Sequence, residues 1–367
     1  MNPPSLHSTP AVGSTVPVAK TVAVSSTVTD YPARDMTITV GAGISVGELR
    51  QLLRTENQQL PIDVADDATT LGELVSHDIS GPRQFGYGTL RDYVIGIEAV
   101  DGQGRTFHAG GRVVKNVAGY DLCRLLVGSR GQLGTLTQLT FKLKPLPVQQ
   151  AVVVVGFRSL RDLEAALERL NLTATTPLIL DVMSRFATES LLKDAVSELS
   201  GTSQFSDSAA VLLAGFEGPP LACQWQTTTL TEELQGSAAW TQAASDLTAF
   251  ETYCRVAQQA SIPTEHDPWM ARLMTLPSRV VSAMTVLQDA GCDVFGRAGN
   301  GVLLVRPSRN SLNENRRADE PTAMRQLQSL VADGVGSVEV LKAAASRSTT
   351  SVPAVQAISE KLRALLG

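Results

Sequence analysis

The feature that most constrains this chain is a run of glycine-bearing turns in the first half of its sequence. One cluster comprises Ser80-Gly-Pro-Arg83 and Gly86-Tyr-Gly88. The other comprises Gly110–Asp121 and Gly128–Gly134, with a short apolar stretch between its two turns. Glycine lets backbone amides approach phosphate oxygens closely, and successive amides can form an anion-binding concavity. Arg83 and Arg91 are placed to add positive charge, although Gly/Pro/Arg segments of this kind are also common in purely structural surface loops.

Local patterns around these clusters predict the elements of a first domain. Met36-Thr-Ile-Thr-Val40 alternates like a half-buried strand, and Ser45 with Glu48 forms a capping-box pattern that begins a helix. Residues 61–88 are rich in Gly, Asp, Thr and Ser and are expected to be mostly loop. Further predicted elements are a hairpin over 94–108, a helix over 122–127 and a strand over 134–144.

Pro145-Leu-Pro147 ends this region and predicts a domain boundary. Beyond it the sequence alternates between strand and helix patterns, with strands expected at 151–157, 178–183 and 301–306. The helices expected in this part cover 160–170, 279–290 and 324–332, and a strand followed by a helix is expected over 209–234. We therefore predict an α+β fold in which helices pack on one face of an antiparallel sheet, and we see no sequence repeat.

The composition narrows the class of protein. The net charge of -5 and the absence of a basic run argue against a nucleic-acid-binding protein. No apolar run is long enough to span a bilayer, and the N-terminus lacks the pattern of a signal peptide, so a cytoplasmic location is expected. The four cysteines and four histidines are scattered, which argues against a metal site or an iron–sulfur cluster.

Gly41-Ala-Gly43-Ile-Ser-Val-Gly47 follows a strand and precedes a helix, as in a nicotinamide dinucleotide fingerprint. Its third glycine is one position late, however. The preceding strand also alternates, whereas a parallel strand buried on both faces is apolar throughout. A tight strand-to-helix turn is the favoured interpretation, and a nicotinamide dehydrogenase stays as a minor alternative.

The glycine clusters resemble those of a known family. The string from Ser80 to Pro147, which includes GGRVVKNVAGYDL and LLVGSRGQLGTLTQ, resembles the vanillyl-alcohol-oxidase or PCMH type of FAD-binding domain. More narrowly, it is similar to the FAD-binding subunits of bacterial glycolate oxidases. The resemblance covers residues 31–147 and implies a two-part FAD-binding domain over 36–147, followed by an α+β cap domain over 148–367. Residues 1–35 are expected to be poorly structured or to be a degenerate first FAD subdomain.

The resemblance also implies a set of residues that bind FAD along the two clusters, first at the pyrophosphate and then towards the flavin and the adenine–ribose side. These residues are Ser80, Gly81, Pro82, Arg83, Gly86, Tyr87, Gly88, Arg91, Asp92, Val94, Lys115, Asn116, Gly119, Tyr120, Asp121, Gly134 and Leu136. No catalytic base is identified, because His266 is more typical of an exposed loop histidine.

The implied function is hydride transfer from a small 2-hydroxy acid such as glycolate to FAD, which yields a 2-oxo acid. The family resemblance further implies a heteromeric complex with a second flavoprotein subunit and an iron–sulfur subunit, and through these partners a peripheral association with the inner membrane stays open. A non-catalytic structural subunit that has lost FAD is the alternative, because residues 16–24 contain no glycine where the family has a glycine-rich loop.

Overall fold

The structure, a computed structural model, describes residues 22–111, 121–185, 187–188, 208–245, 247–265, 267–308, 320–332 and 334–342. Within these ranges, no helix is both long enough and apolar enough to cross a membrane.

The first unit is built on a five-stranded sheet in the order β1-β2-β6-β4-β5, in which every pair of neighbours is antiparallel. Its strands are β1 (Val28–Asp30), β2 (Thr37–Gly41), β4 (Val94–Val100), β5 (Thr106–Gly110) and β6 (Thr135–Lys142), and a separate short pair is formed by β3 (Gln58–Gln59) and β7 (Lys144–Pro145). Its helices are α1 (Val46–Arg54), α2 (Leu71–His77), α3 (Gln84–Tyr87) and α4 (Leu122–Leu126). They pack with the sheet around one apolar core.

Most local predictions for this unit are confirmed. The capping box at the start of α1 is present, with the Ser45 hydroxyl accepting from the Glu48 amide and the Glu48 carboxylate accepting from the Ser45 amide. Residues 61–88 are mostly loop, as expected, but they also contain the short helices α2 and α3, and Thr70 caps α2. One expectation was wrong. Residues 28–30 form a strand at the sheet edge, where loose structure was expected.

The second unit is built on an eight-stranded antiparallel sheet in the order β11-β8-β10-β9-β13-β14-β12-β15. Its strands are β8 (Gln149–Phe157), β9 (Ile179–Ser184), β10 (Ala210–Gly218), β11 (Trp240–Ala244), β12 (Met270–Met274), β13 (Cys292–Arg297), β14 (Val302–Pro307) and β15 (Ser337–Lys342). Its helices among the described residues are α5 (Leu160–Leu170), α6 (Pro220–Leu234), α7 (Leu247–Gln259), α8 (Val280–Asp289) and α9 (Glu320–Leu330).

The second unit contains the same order of strands and helices twice. The series β8-α5-β9-β10-α6-β11 forms one half-sheet in the order β11-β8-β10-β9, and β12-α8-β13-β14-α9-β15 forms the other in the order β13-β14-β12-β15. Each half is a β-α-β-β-α-β unit of the ferredoxin-like kind. The halves are joined by the antiparallel pairing of β9 with β13.

The sequence predicted that the helices of the second unit pack on one face of the sheet, but they pack on both faces. Residues of α5, α6, α8 and α9 pack with one face of the sheet in a single apolar cluster. Helix α7 packs on the opposite face through residues such as Phe250 and Tyr253. The face that α7 covers is also the face that meets the first unit, as the contacts below show.

Candidate functional site

The turn Ser80–Arg83 lies at the junction of the two units, and Arg83 is held there by two carboxylates. Its Nε donates to Asp63 Oδ1 at 2.8 Å, and its Nη1 donates to Glu217 Oε1 at 3.2 Å. The remaining donors bind Gln59 Oε1 and the Ile62 carbonyl. Burial alone would lower the pKa of Arg83, but the two carboxylates raise it above its usual value. Arg83 therefore bonds the protein itself, and its guanidinium is committed to internal partners.

Glu217, at the end of β10, is the second unit's acceptor in this network. Besides Arg83, it accepts from the Tyr87 hydroxyl at 2.6 Å and from Gln150 Nε2 at 2.7 Å. Burial, followed by the charge and hydrogen bond of Glu217, raises the pKa of Tyr87 well above its usual value. Tyr87 is therefore a neutral donor that ties α3 to β10.

The glycines around this turn are surrounded by protein atoms. A Cβ added at Gly81 would lie 2.1 Å from Asp63 Cβ, and one at Gly86 would lie 2.2 Å from Leu178 Cδ2. Gly88 has a positive φ of 86°, and a Cβ added there would lie 2.6 Å from an oxygen of Asp92. Asp92 Oδ2 also accepts from the Thr89 amide. Close packing therefore explains why glycine occurs at these three positions, and the turn does not form an open phosphate-binding cavity.

A second group of predicted residues meets at the turn that follows α4. Arg91 Nε lies 3.3 Å from Asp78 Oδ2, and Arg91 Nη2 donates to the Val127 carbonyl at 3.1 Å. The Gly128 amide donates to the Val75 carbonyl, which joins this turn to the end of α2. Burial raises the pKa of Asp78, and the charge of Arg91 opposes that shift.

Two polar atoms of this group are buried without a hydrogen-bond partner: Asp78 Oδ1 and Ser129 Oγ. The backbone two residues after Ser129 is also open, because a Cβ added at Gly131 would meet nothing within 4 Å. Buried polar atoms are nearly always satisfied in folded proteins, so an orphaned pair next to open backbone marks a place for a polar ligand.

The other predicted site residues are placed as follows. Val94 and Leu136 are buried in β4 and β6, and Gly134 lies against the Val100 carbonyl. Asp121 caps α4 by accepting from the Arg124 amide at 3.0 Å. Lys115, Asn116, Gly119 and Tyr120 lie outside the described residues, as does His266. The roles assigned to these residues stay predictions.

The segment Gly41–Gly47 is a packed strand-to-helix turn. The amides of Gly41, Gly43 and Gly47 donate to the carbonyls of Thr27, Ser25 and Asp67. These donors are therefore not free to bind phosphate, which agrees with our preference for a turn over a nicotinamide site.

A further buried acid lies on the face of the second sheet that meets the first unit. Asp181 on β9 accepts from the Tyr253 hydroxyl at 2.5 Å, and its other oxygen has no partner. Burial raises the pKa of Asp181 to about 7, although Arg297 and the Tyr253 hydrogen bond act in the opposite direction. Asp181, Glu217 and Arg297 were not predicted as site residues, because each lies in a mostly apolar strand and matches no motif. All four cysteines are free and buried.

Comparison with known proteins gives a consistent picture. Residues 12–110 match the family model of an FAD binding domain. The chain is 37% identical over 122 residues to the glycolate oxidase subunit GlcE of Escherichia coli (strain K12), which is 33% of this chain and 35% of that protein. It is 30% identical over 168 residues to the D-lactate dehydrogenase of Archaeoglobus fulgidus, covering 44% of this chain and 37% of that protein.

A third relative is the glycolate oxidase subunit GlcD of Bacillus subtilis (strain 168), with 32% identity over 134 residues, 36% of this chain and 28% of the relative. These matches therefore cover about a third of each relative's length. Among solved structures, alkyldihydroxyacetonephosphate synthase is similar with a TM-score of 0.58 and 18% identity over 92% of this chain and 64% of that one. At this identity the likeness concerns the fold alone.

The residues present fit FAD in the second group. There, Asp78 Oδ1 and Ser129 Oγ lack partners, the backbone at Gly131 is open, and the Arg91 side chain, although paired with Asp78, is 45% exposed. The turn around Arg83 contributes no free charge, because its donors are used within the protein. The chain therefore contains a PCMH-type FAD-binding domain, and the cofactor of that domain is FAD.

Proposed function

We propose that this chain is the FAD-binding subunit of an oxidoreductase that converts a small 2-hydroxy acid, of the glycolate or D-lactate class, into a 2-oxo acid. The observation that carries the proposal is the 37% identity to a glycolate oxidase subunit over 122 residues. The D-lactate dehydrogenase among the relatives supports the same substrate class.

When bound, FAD accepts the hydride that leaves the hydroxyl-bearing carbon of the substrate. The chain's own part is to bind and orient the cofactor. Arg91 places a guanidinium at the turn after α4, and Ser129 offers a hydroxyl that has no protein partner. The predicted residues at 115–121 complete the proposed flavin side of the site. The catalytic base stays unassigned.

Two partner subunits are part of the proposal: a second flavoprotein and an iron–sulfur protein. Two of the relatives are named as subunits, which supports a multi-subunit assembly. Within the described ranges, no group of three His, Cys, Asp or Glu side chains comes together to hold a metal. We therefore assign the onward transfer of electrons to a partner, and we place the complex in the cytoplasm.

A visible spectrum of the purified full-length chain tests the cofactor. A flavin absorption band, or one that appears after FAD is added and excess is removed, supports the proposal. Co-expression with candidate partner subunits and assays on glycolate and D-lactate with an artificial electron acceptor then test the activity. A flavin-loaded complex that oxidises neither acid contradicts the proposed substrate class.

A second candidate is a non-catalytic structural subunit that has lost FAD. The observation in its favour is that Arg83 and the glycines around it are committed to packing at the junction of the two units. This candidate predicts a folded chain without a flavin band that does not bind added FAD. It also predicts a complex whose activity survives changes at Arg91 and Ser129.

A further inference from the structure

A cluster of charged side chains joins the second unit to the turn that follows α4. Glu339 on the edge strand β15 accepts from Arg130 Nη2 at 2.6 Å and from Arg272 Nη1 at 2.9 Å. Arg130 lies between Ser129 and Gly131, in the turn whose residues fit FAD. The cluster therefore lies where one edge of the second sheet meets the proposed cofactor site.

Arg272 lies on the face of the second sheet that is turned towards the first unit. It is the direct cross-strand neighbour of Leu304, which in turn is opposite Phe295. Directly opposite residues of antiparallel strands share a face. Leu304 and Phe295 pack in one cluster with Phe250 of α7, the helix that covers this face. The Arg272 side chain is 34% exposed, so a ligand in the junction can reach it.

The charges on this face come in pairs of opposite sign, and the first unit adds one more cation. The pairs are direct cross-strand neighbours, namely Asp181 with Arg297, Asp293 with Arg306, and Glu339 with Arg272. Arg130 of the first unit joins the last of these pairs, so two arginines share one carboxylate. This group of two cations and one anion therefore carries an excess of one positive charge.

Arg272 has donors to spare for a ligand. Its single hydrogen bond within the described part of the chain goes from Nη1 to Glu339, whereas a guanidinium has five N–H donors. Burial lowers the pKa of Arg272 although Glu339 opposes that shift, and the charges of Arg297 and Arg130 lower it further. An anion bound to the remaining donors would offset this excess of positive charge.

A carboxylate is the anion that fits these donors and this place. The N–H groups on Nε and Nη2 of a guanidinium form a planar fork that matches the two oxygens of a carboxylate. The proposed substrates carry a carboxylate beside the hydroxyl that is oxidised. The residues proposed for FAD all belong to the first unit, whereas Arg272 belongs to the second, which favours the substrate over a phosphate of the cofactor as its ligand.

We propose that Arg272 binds the carboxylate of the 2-hydroxy acid and that Glu339 makes this site specific for acids with a single carboxylate. The excess of one positive charge is matched by one carboxylate. A second carboxylate on the ligand would be repelled by Glu339, which already occupies one side of both arginines. This inference rests on the proposed function, because it requires that the chain binds FAD and a 2-hydroxy acid.

The test uses the full-length chain loaded with FAD and two 2-oxo acids of the product class. Pyruvate has one carboxylate and 2-oxoglutarate has two, and changes in the flavin absorption spectrum give their dissociation constants without turnover. We expect wild type to bind pyruvate more tightly. Arg272→Met should weaken pyruvate binding by about tenfold or more, since a charge-assisted pair is lost. Arg272→Lys keeps the charge without the fork and should fall between the two.

Glu339→Gln tests the specificity, because it removes the negative charge and keeps the size of the side chain. We expect it to strengthen 2-oxoglutarate binding by about tenfold relative to pyruvate binding. Glu339→Asp keeps the charge and should keep the wild-type preference. Arg54→Met is the matched control, because Arg54 forms an exposed ion pair with Glu251 at the same junction. It should change the binding of neither acid.

The outcomes separate this inference from the proposed function, once circular dichroism has shown that each variant is folded. If the wild-type chain binds no FAD, the proposed function fails and the inference falls with it. If wild type binds FAD, the inference alone is overturned when Arg272→Met binds pyruvate as tightly as wild type, or when Glu339→Gln keeps the wild-type preference. If Arg272→Met weakens the binding of FAD and not that of pyruvate, the cluster holds a phosphate of the cofactor, which also overturns it.

Discussion

Replacing Arg83 with methionine should be among the most destabilising single changes available in this protein. Methionine approximates the length of the arginine stem but removes every donor of the guanidinium. The Arg83 side chain is 11% exposed, and its partners Asp63 and Glu217 are 2% and 1% exposed. The variant would therefore leave two buried carboxylates without the cation that both of them contact.

The magnitude follows from what each carboxylate retains. Removing one partner of a buried ion pair typically costs about 3–5 kcal/mol, because an uncompensated charge remains inside. Here Glu217 keeps its hydrogen bonds from Tyr87 and Gln150, whereas Asp63 keeps the one from the backbone amide at position 83. These bonds limit the loss, so we expect a decrease of about 4 kcal/mol in the free energy of unfolding, or roughly a thousandfold in the equilibrium constant.

Urea unfolding measures this loss. Far-ultraviolet circular dichroism follows both units, and tryptophan fluorescence follows the second unit, since Trp225, Trp240 and Trp269 all lie there. Two signals are needed because two units with separate cores need not unfold in one step. The change in free energy is the shift in midpoint multiplied by the slope of the transition. Arg54→Met, which removes an exposed ion pair at the same junction, should shift stability by less than about 1 kcal/mol.

A neutral version of the network distinguishes buried charge from lost packing. The triple variant Arg83→Met, Asp63→Asn, Glu217→Gln removes the cation together with both negative charges. We expect it to be more stable than Arg83→Met alone, because neutralised groups no longer carry an uncompensated charge. A triple variant as unstable as the single one, or a single variant within about 1 kcal/mol of wild type, would refute the electrostatic reasoning.

Two further predictions concern the same junction. The folded-state pKa of Asp181 is about 7, against a usual value of 3.8. Between these two values the unfolded chain ionises first, so the free energy of unfolding should decrease as pH rises from about 4 to 7. Asp181→Asn should abolish that decrease when urea unfolding is measured at about pH 5 and about pH 8, and an equal decrease in both proteins would count against the prediction. Gly86→Ala places a methyl group 2.2 Å from Leu178 Cδ2 and 2.6 Å from Leu178 Cα, and it should lower the melting temperature. Gly102→Ala, whose methyl group would meet nothing within 4 Å, should leave the melting temperature nearly unchanged. Similar melting temperatures for the two variants would contradict the packing argument.

The elements that the sequence predicted well are those whose signals are local. The capping box of Ser45 and Glu48 lies within four residues, and the strand around Ile38 is marked by its own alternation. Helix α2 was missed although its signal was equally local: Thr70 caps it, and apolar residues follow at helical spacing. A Gly- and Asp-rich composition masked that pattern, which shows that composition is a weaker guide than capping and periodicity.

The roles of charged residues were harder to predict, because their partners are distant in sequence. Arg83 looked like a ligand for pyrophosphate, yet its carboxylate partners lie 20 and 134 positions away. The duplication of the β-α-β-β-α-β unit was equally invisible. Topology depends on strand order and on which face is apolar, and many different sequences satisfy both requirements.

Glycines in the Ser80–Gly134 region occur for two different physical reasons, namely close packing and a positive φ. At Gly81 and Gly86 a side chain would collide with Asp63 or Leu178, so these glycines are required by the junction of the two units. At Gly131 the same test finds open space, although its φ of 72° still favours glycine. A motif match alone cannot tell these cases apart. The carbonyl of Gly81 also accepts from Arg297 Nε at 3.0 Å, so a change in either unit is expected to disturb the packing of this residue.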